Sequence, residues 1–190
     1  MRSFFGLFVL ALGLMFAAGE ASAQMYTDGN KNPMVGGAAM YKTKNIVENA
    51  VNSKDHTTLV AAVQAAGLVD TLKSAGPFTV FAPVNSAFDK LPAGTVATLL
   101  KPENKSMLTG ILTYHVVAGN FDSKAIAKAI KKGKGKAEFT TVAGGKIWAK
   151  MVGKNLIIWD EKGGQSMVTI ADVRQSNGVI HVVDTVLMPN

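Results

Sequence analysis

Three histidines, His56, His115 and His181, are the side chains in this sequence best suited to moving a proton near neutral pH. No H-x-x-x-H or H-E-x-x-H spacing joins any of them, so no local zinc site is offered. Cysteine is absent, which removes thiolate ligands and nucleophilic thiols together. Asp184 follows His181 closely, but in a strand the two side chains would face opposite sides and could not pair. Ser86 follows Asn85 at a helix start, where a hydroxyl is explained by the helix terminus alone. No G-x-S-x-G elbow, phosphate-binding loop or dinucleotide fingerprint is present. A hydrolase built on His115 or His181 would therefore lack a partner supplied by local spacing. Both lie in apolar, strand-like runs and are expected to bond backbone carbonyls in a core; His56, at a helix start, is expected to be exposed. The sequence predicts a non-enzymatic protein with no metal and no cofactor.

Two features could bind rather than catalyse. Lys131, Lys132, Lys134 and Lys136 form a basic run, with Lys124 and Lys128 before it. Cations at a helix C-terminus favour its dipole, and the same run could meet a polyanion. Lacking interleaved aromatics or arginine, it does not fit specific nucleic-acid recognition. Trp148 and Trp159 fall on neighbouring strand segments, where they could pack the sheet or stack on a sugar.

The elements that must position these residues are legible in the periodicity. Residues 79 to 88, Thr-Val-Phe-Ala-Pro-Val-Asn-Ser-Ala-Phe, organise the chain. Phe81 belongs to a strand that is apolar on both faces. Pro83 ends the strand because it lacks an N–H. Asn85 is expected to cap the helix that follows, accepting from the N–H of Ala87 or Phe88, and Phe88 to return to the core. Before this stretch, helices are predicted over Asn45 to Asn52, from Asp55 (as cap) to Gly67, and over Leu68 to Ser74. After it come a helical turn at Thr95 to Leu100 and a longer helix opened by Pro102. A further helix runs from an Asp122 cap to Gly133. Beyond Gly135 the period changes to two, giving strands over Lys136 to Val142, Lys146 to Val152, Leu156 to Trp159 and Met167 to Val173. Asn177-Gly178 signals a tight turn. The run Val179 to Leu187, containing His181 and Asp184, is apolar on both faces and is expected to be central. Helices precede most strands and no repeat occurs, so the fold class is α+β.

The N-terminus has the form of an export signal. Met1-Arg2, the apolar run Phe4 to Ala18 and Ala21-Ser22-Ala23 supply the charged, apolar and cleavage regions in order. Residues 1–23 are predicted to be removed and the mature chain to start at Gln24. Residues 24–44 lack any period and are expected to form a flexible tail, with 45–189 as a single domain. Met25, Met34 and Met40 lie in that tail, but irregularly and without histidine, which does not make a metal site. The net charge of +7 favours anionic partners. No second long apolar run follows, so no transmembrane span is expected in the mature protein.

Three blocks, Thr79 to Phe88, Tyr114-His115-Val116 and Asn177 to Pro189, together resemble the fasciclin domain, in that family's order and from about Asn45 to Pro189. The resemblance implies helices packed around a wedge of two β-sheets. It implies a secreted or surface adhesion module, periplasmic or extracellular in a bacterium. Its partner would be a cell-surface or matrix protein or an anionic polysaccharide, and a monomer is expected. Tyr114 and His115 match a block implicated in integrin binding in animal members. Phe81, Pro83, Asn85, Phe88, Gly178, His181 and Asp184 fall in the structural blocks. Val84 departs from the hydroxyl residue that the family often has there, and a lone domain lacks the avidity of linked copies. The alternative reading is a periplasmic or extracellular carrier of a small lipid or glycan, which would need an apolar cavity between sheet and helices.

Overall fold

The computed structural model describes residues 32–190. The expected signal peptide over 1–23 and the first part of the expected tail lie outside the described residues. The rest of that tail is not loose. Met34–Val35 (β1) and Ala38–Ala39 (β2) form a hairpin, and Val35 and Met40 are buried in the core. Sequence period misses so short a hairpin because two-residue strands contain no repeat.

Four helices follow one another before and after the organising strand: Ile46–Ala50 (α1), Thr57–Ala66 (α2), Val69–Lys73 (α3) and, after β3 (Phe78–Pro83), Asn85–Asp89 (α4). Asn45 caps α1 in a reciprocal box with Glu48, so two orphan N–H groups are satisfied together. Gly67 ends α2 with φ +73°, a left-handed conformation that a side chain would resist. Thr95–Leu99 (α5) and Lys105–Tyr114 (α6) lead into Val116–Ala118 (β4). Ser123–Lys132 (α7) is capped by the Asp122 carboxylate, which accepts from the N–H of Ala125, as the sequence predicts. The remaining strands are Ala137–Thr140 (β5), Lys146–Val152 (β6), Asn155–Trp159 (β7), Gln165–Gln175 (β8) and Gly178–Val183 (β9).

The seven larger strands form one sheet in the order β4-β3-β9-β8-β7-β6-β5. β3 runs parallel to β9, with Phe81 opposite His181, and antiparallel to β4. β8 joins the two halves. Its first residues pair with β7 and the rest with β9, through register shifts between Val168 and Val173. Such shifts bend a strand, and here they fold the sheet into a wedge. The wedge meets itself where Val117 of β4 bridges Thr141 just after β5.

Alternation along β3 splits the interior in two. Val80 and Ala82 face a core shared with Ile46, Leu59, Val63, Leu108 and Leu112 from the helices. Phe81 faces the other way, into the wedge, with Val183, Phe139, Ile147, Ile158 and Ile126 of α7. The expected α+β class and the central position of β3 and β9 both hold. The strand ends differ by a few residues, and Val186 and Leu187 are buried beyond the end of β9.

Candidate functional site

Tyr114 and His115 are not on the surface. Tyr114 is the last residue of α6 and His115 caps it, so the block ends a helix rather than extending a strand. Tyr114 is fully buried and His115 nearly so. The Tyr114 hydroxyl donates to the carbonyl of Lys146 at 2.6 Å and accepts from the N–H of Glu161 at 3.1 Å. Burial is the main cause that pushes its pKa up to about 12. His115 Nδ1 lies 2.8 Å from the carbonyl of Ile111, and Nε2 accepts from the N–H of Leu187 at 2.9 Å. A carbonyl can only accept, so Nδ1 carries the proton and the ring is neutral. Burial lowers its pKa to about 4, partly opposed by the Ile111 carbonyl. The pair ties α6 to β6, to the β7–β8 turn and to the C-terminal segment. Expected as a contact point for a partner, these side chains instead hold the wedge together from within.

His181 is buried in the same way. Nε2 donates to the carbonyl of Phe121 at 2.8 Å, and the ring stacks on Phe81 with centroids 5.6 Å apart. Burial lowers its pKa. Asp184 lies apart from it: its carboxylate accepts from the N–H of Met167 and forms an ion pair with Lys90 at 3.4 Å. His56, expected to be exposed, is 3% exposed, because the turn Lys54–His56 packs it under α2. Its Nδ1 lies 2.9 Å from Ser53 Oγ. Ser53 Oγ is the hydroxyl that meets one of these histidines, and among the described residues no carboxylate forms an ion pair with any of the three to complete a triad. Among the described residues, no group of His, Asp or Glu is arranged to hold a metal.

Asn85 does not cap its own helix. Val84 precedes α4 in the cap position, and Asn85 is its first residue. The Asn85 side chain instead accepts from the N–H of Thr58 at 3.0 Å and donates to the carbonyl of Lys54 at 2.9 Å. It therefore serves the start of α2, the role expected of Asp55. Sequence places a cap next to its own helix; only the fold can bring one from a segment 27 residues away. Pro83 ends β3, and Phe88 packs partly buried against the helical core, both as expected.

Gly178 opens β9 where a Cβ would stand 2.1 Å from the Phe78 carbonyl oxygen, so no side chain fits. The tight turn itself is Ser176 and Asn177. Asn177, expected only as a turn former, is a buried junction. Its Oδ1 accepts from the N–H of Ile46, and its Nδ2 donates to the carbonyls of Leu72 and Ser74. Its placement inside an apolar terminal block was the available signal.

The surface features lie elsewhere. Lys131, Lys132, Lys134 and Lys136 are all exposed, at the end of α7 and in the turn into β5. Lys136 Nζ sits 5.2 Å from the ring centre of Trp148, and Lys150 Nζ 5.0 Å from that of Trp159. Trp148 and Trp159 are register partners on β6 and β7 and share the outer face of the wedge. Glu138 holds both Lys146, at 2.8 Å, and the Trp148 indole N–H.

The model of the fasciclin domain matches residues 54–189. The chain belongs to the fasciclin domain family. It is 46% identical over 169 residues to Protein sll1483 of Synechocystis sp., an alignment covering 89% of this chain and 86% of that protein. It is 38% identical to the immunogenic protein MPB70 of Mycobacterium bovis, over 74% of this chain and 66% of that one. Among solved structures, a domain pair from the insect cell adhesion molecule fasciclin I superposes with a TM-score of 0.67 at 18% identity, covering 76% of this chain and 51% of that one. The last likeness concerns the fold alone. Among the described residues of this fasciclin domain, no helix is long and apolar enough to cross a membrane.

Proposed function

We propose that this fasciclin-domain protein is exported and acts without catalysis, as a surface-binding module whose contact face is its basic edge. The partner is an anionic polysaccharide of the envelope or matrix, or a surface protein bearing such charge. The observation that carries this reading is the clustering of Lys131, Lys132, Lys134 and Lys136, all exposed, beside the two tryptophans on the outer face of the wedge. Lysines offer charge to carboxylates or sulfates, and an indole face offers a platform for the apolar face of a sugar. The burial of Tyr114 and His115 supports a contact away from the block that the family resemblance pointed to.

The experiment is retention on an immobilised uronate polysaccharide over a salt series. Wild-type protein is expected to elute at clearly higher salt than a variant with Lys131, Lys132, Lys134 and Lys136 changed to Gln. Equal elution of the two proteins would remove the basic edge from the account.

A further inference from the structure

A cleft of about 230 Å³ opens between α1, α2 and α3 and the face of β3 and β9 that bears Val80 and Val182. Val47, Ala50, Val60, Val63, Leu72 and Val80 line it. Apolar interiors normally close to crystal-like density. An engineered apolar cavity of only about 150 Å³ is large enough to take up benzene. The space here exceeds that, and its wall is almost wholly hydrocarbon.

Among the polar residues on the lining, His56 carries a buried nitrogen with no partner. His56 lines the cleft together with Ser53 and Ala82. Its Nε2 is buried and makes no hydrogen bond. The carbonyl of Ala82 lies close enough to favour a proton on the ring without meeting hydrogen-bond geometry. Ser53 Oγ, on the other nitrogen, can donate to Nδ1, which leaves Nε2–H as a donor with no well-placed acceptor. Leaving a buried donor unpaired is unfavourable, and a ligand oxygen would correct it.

We infer that the cleft is a binding site for a small, uncharged amphiphile, with its hydrocarbon among the helices and a hydroxyl or carbonyl oxygen accepting from His56 Nε2. A carboxylate head beside His56 is disfavoured, because Lys73, the lysine on the lining, is exposed and leaves no buried counter-charge there. This site is separate from the basic edge and does not depend on it.

The test is an NMR titration of the isotopically labelled chain with 1-hexanol, and with hexanoate at neutral pH. Hexanol is expected to shift the resonances of Val47, Val60, Val63 and His56, and hexanoate to bind at least about ten-fold more weakly. Val47→Phe, which fills the cleft, is expected to abolish the hexanol response; Ala50→Leu serves as a second filled variant should the first fail to fold. His56→Phe is expected to lower hexanol affinity by about three- to ten-fold, the worth of one hydrogen bond. The variant with the four lysines replaced is expected to bind hexanol like wild type, so the two readings fail separately. Absence of localised shifts, equal binding of hexanol and hexanoate, full binding by the filled variants, or unchanged affinity in His56→Phe would each overturn the inference.

Discussion

The Asn85 side chain bonds the N–H of Thr58 at 3.0 Å, so the residue that ends the β3–α4 turn also begins α2. One amide fixes two elements, because its other end donates to the carbonyl of Lys54. Replacing Asn85 with Ala is expected to cost about 1–2 kcal/mol, the upper range for a lost cap, since two backbone partners are released. Asp at this position would keep the acceptor and lose the donor, and is expected to fall between the two. Urea midpoints at constant slope would check the order.

Phe81 is 1% exposed and lies between His181 and the wedge interior. Phe81→Ala is expected to cost about 3–5 kcal/mol through a cavity at the centre of the sheet. The same chemical denaturation measures it. A loss near that of an exposed residue would mean that β3 is not central.

Acid should destabilise the domain through its buried histidines. The His115 pKa is lowered in the folded state to about 4 from 6.5, so the unfolded chain binds the proton first. Stability is complete above the unfolded value and falls as pH drops from about 6.5 towards 4. His56 and His181 are lowered in the same direction, also by burial, and add to the slope. His115 alone contributes on the order of 3 kcal/mol across that window. Melting temperatures measured between pH 7 and pH 4.5 should decline, and less steeply in a His115→Gln variant compared with its own value at pH 7.

Tyr114→Phe removes a hydroxyl that satisfies the carbonyl of Lys146 and the N–H of Glu161. The cost is expected to be about 1–2 kcal/mol, because two part-buried backbone groups lose their partner. If Tyr114 were instead a contact residue, the same variant would keep its stability and lose its partner.

Gly178→Ala is expected to cost at least about 3 kcal/mol, the upper range for overpacking, because the added carbon would meet the Phe78 carbonyl, which the β3–β9 ladder holds in place. Poor soluble yield, or a melting point far below that of wild type, would be the signature.

The sequence made the framework legible where signals were local. Asp122 and Gly133 bound α7, Pro83 stops β3, and the change of period after Gly135 marks the strands. What it hid was contact over distance. Asn85 and Asn177 look like local punctuation, yet both spend their amides on segments far along the chain. His56 looks like a wet helix start and is covered by elements that come later. Tyr114 and His115 look like a recognition motif, and only their partners in β6 and the C-terminal segment reveal an internal brace. The surface patch was readable because a run of lysines can hardly be buried.

The bridge between Val117 and Thr141, supported by the bond from the Val142 N–H to the Val116 carbonyl, joins the two outermost strands of the sheet. A ribbon whose rims touch exposes few free amides for another chain to copy. Copies of this domain should therefore tolerate high concentration with little tendency to zip together along these two rims, and they need no covalent cross-link for it.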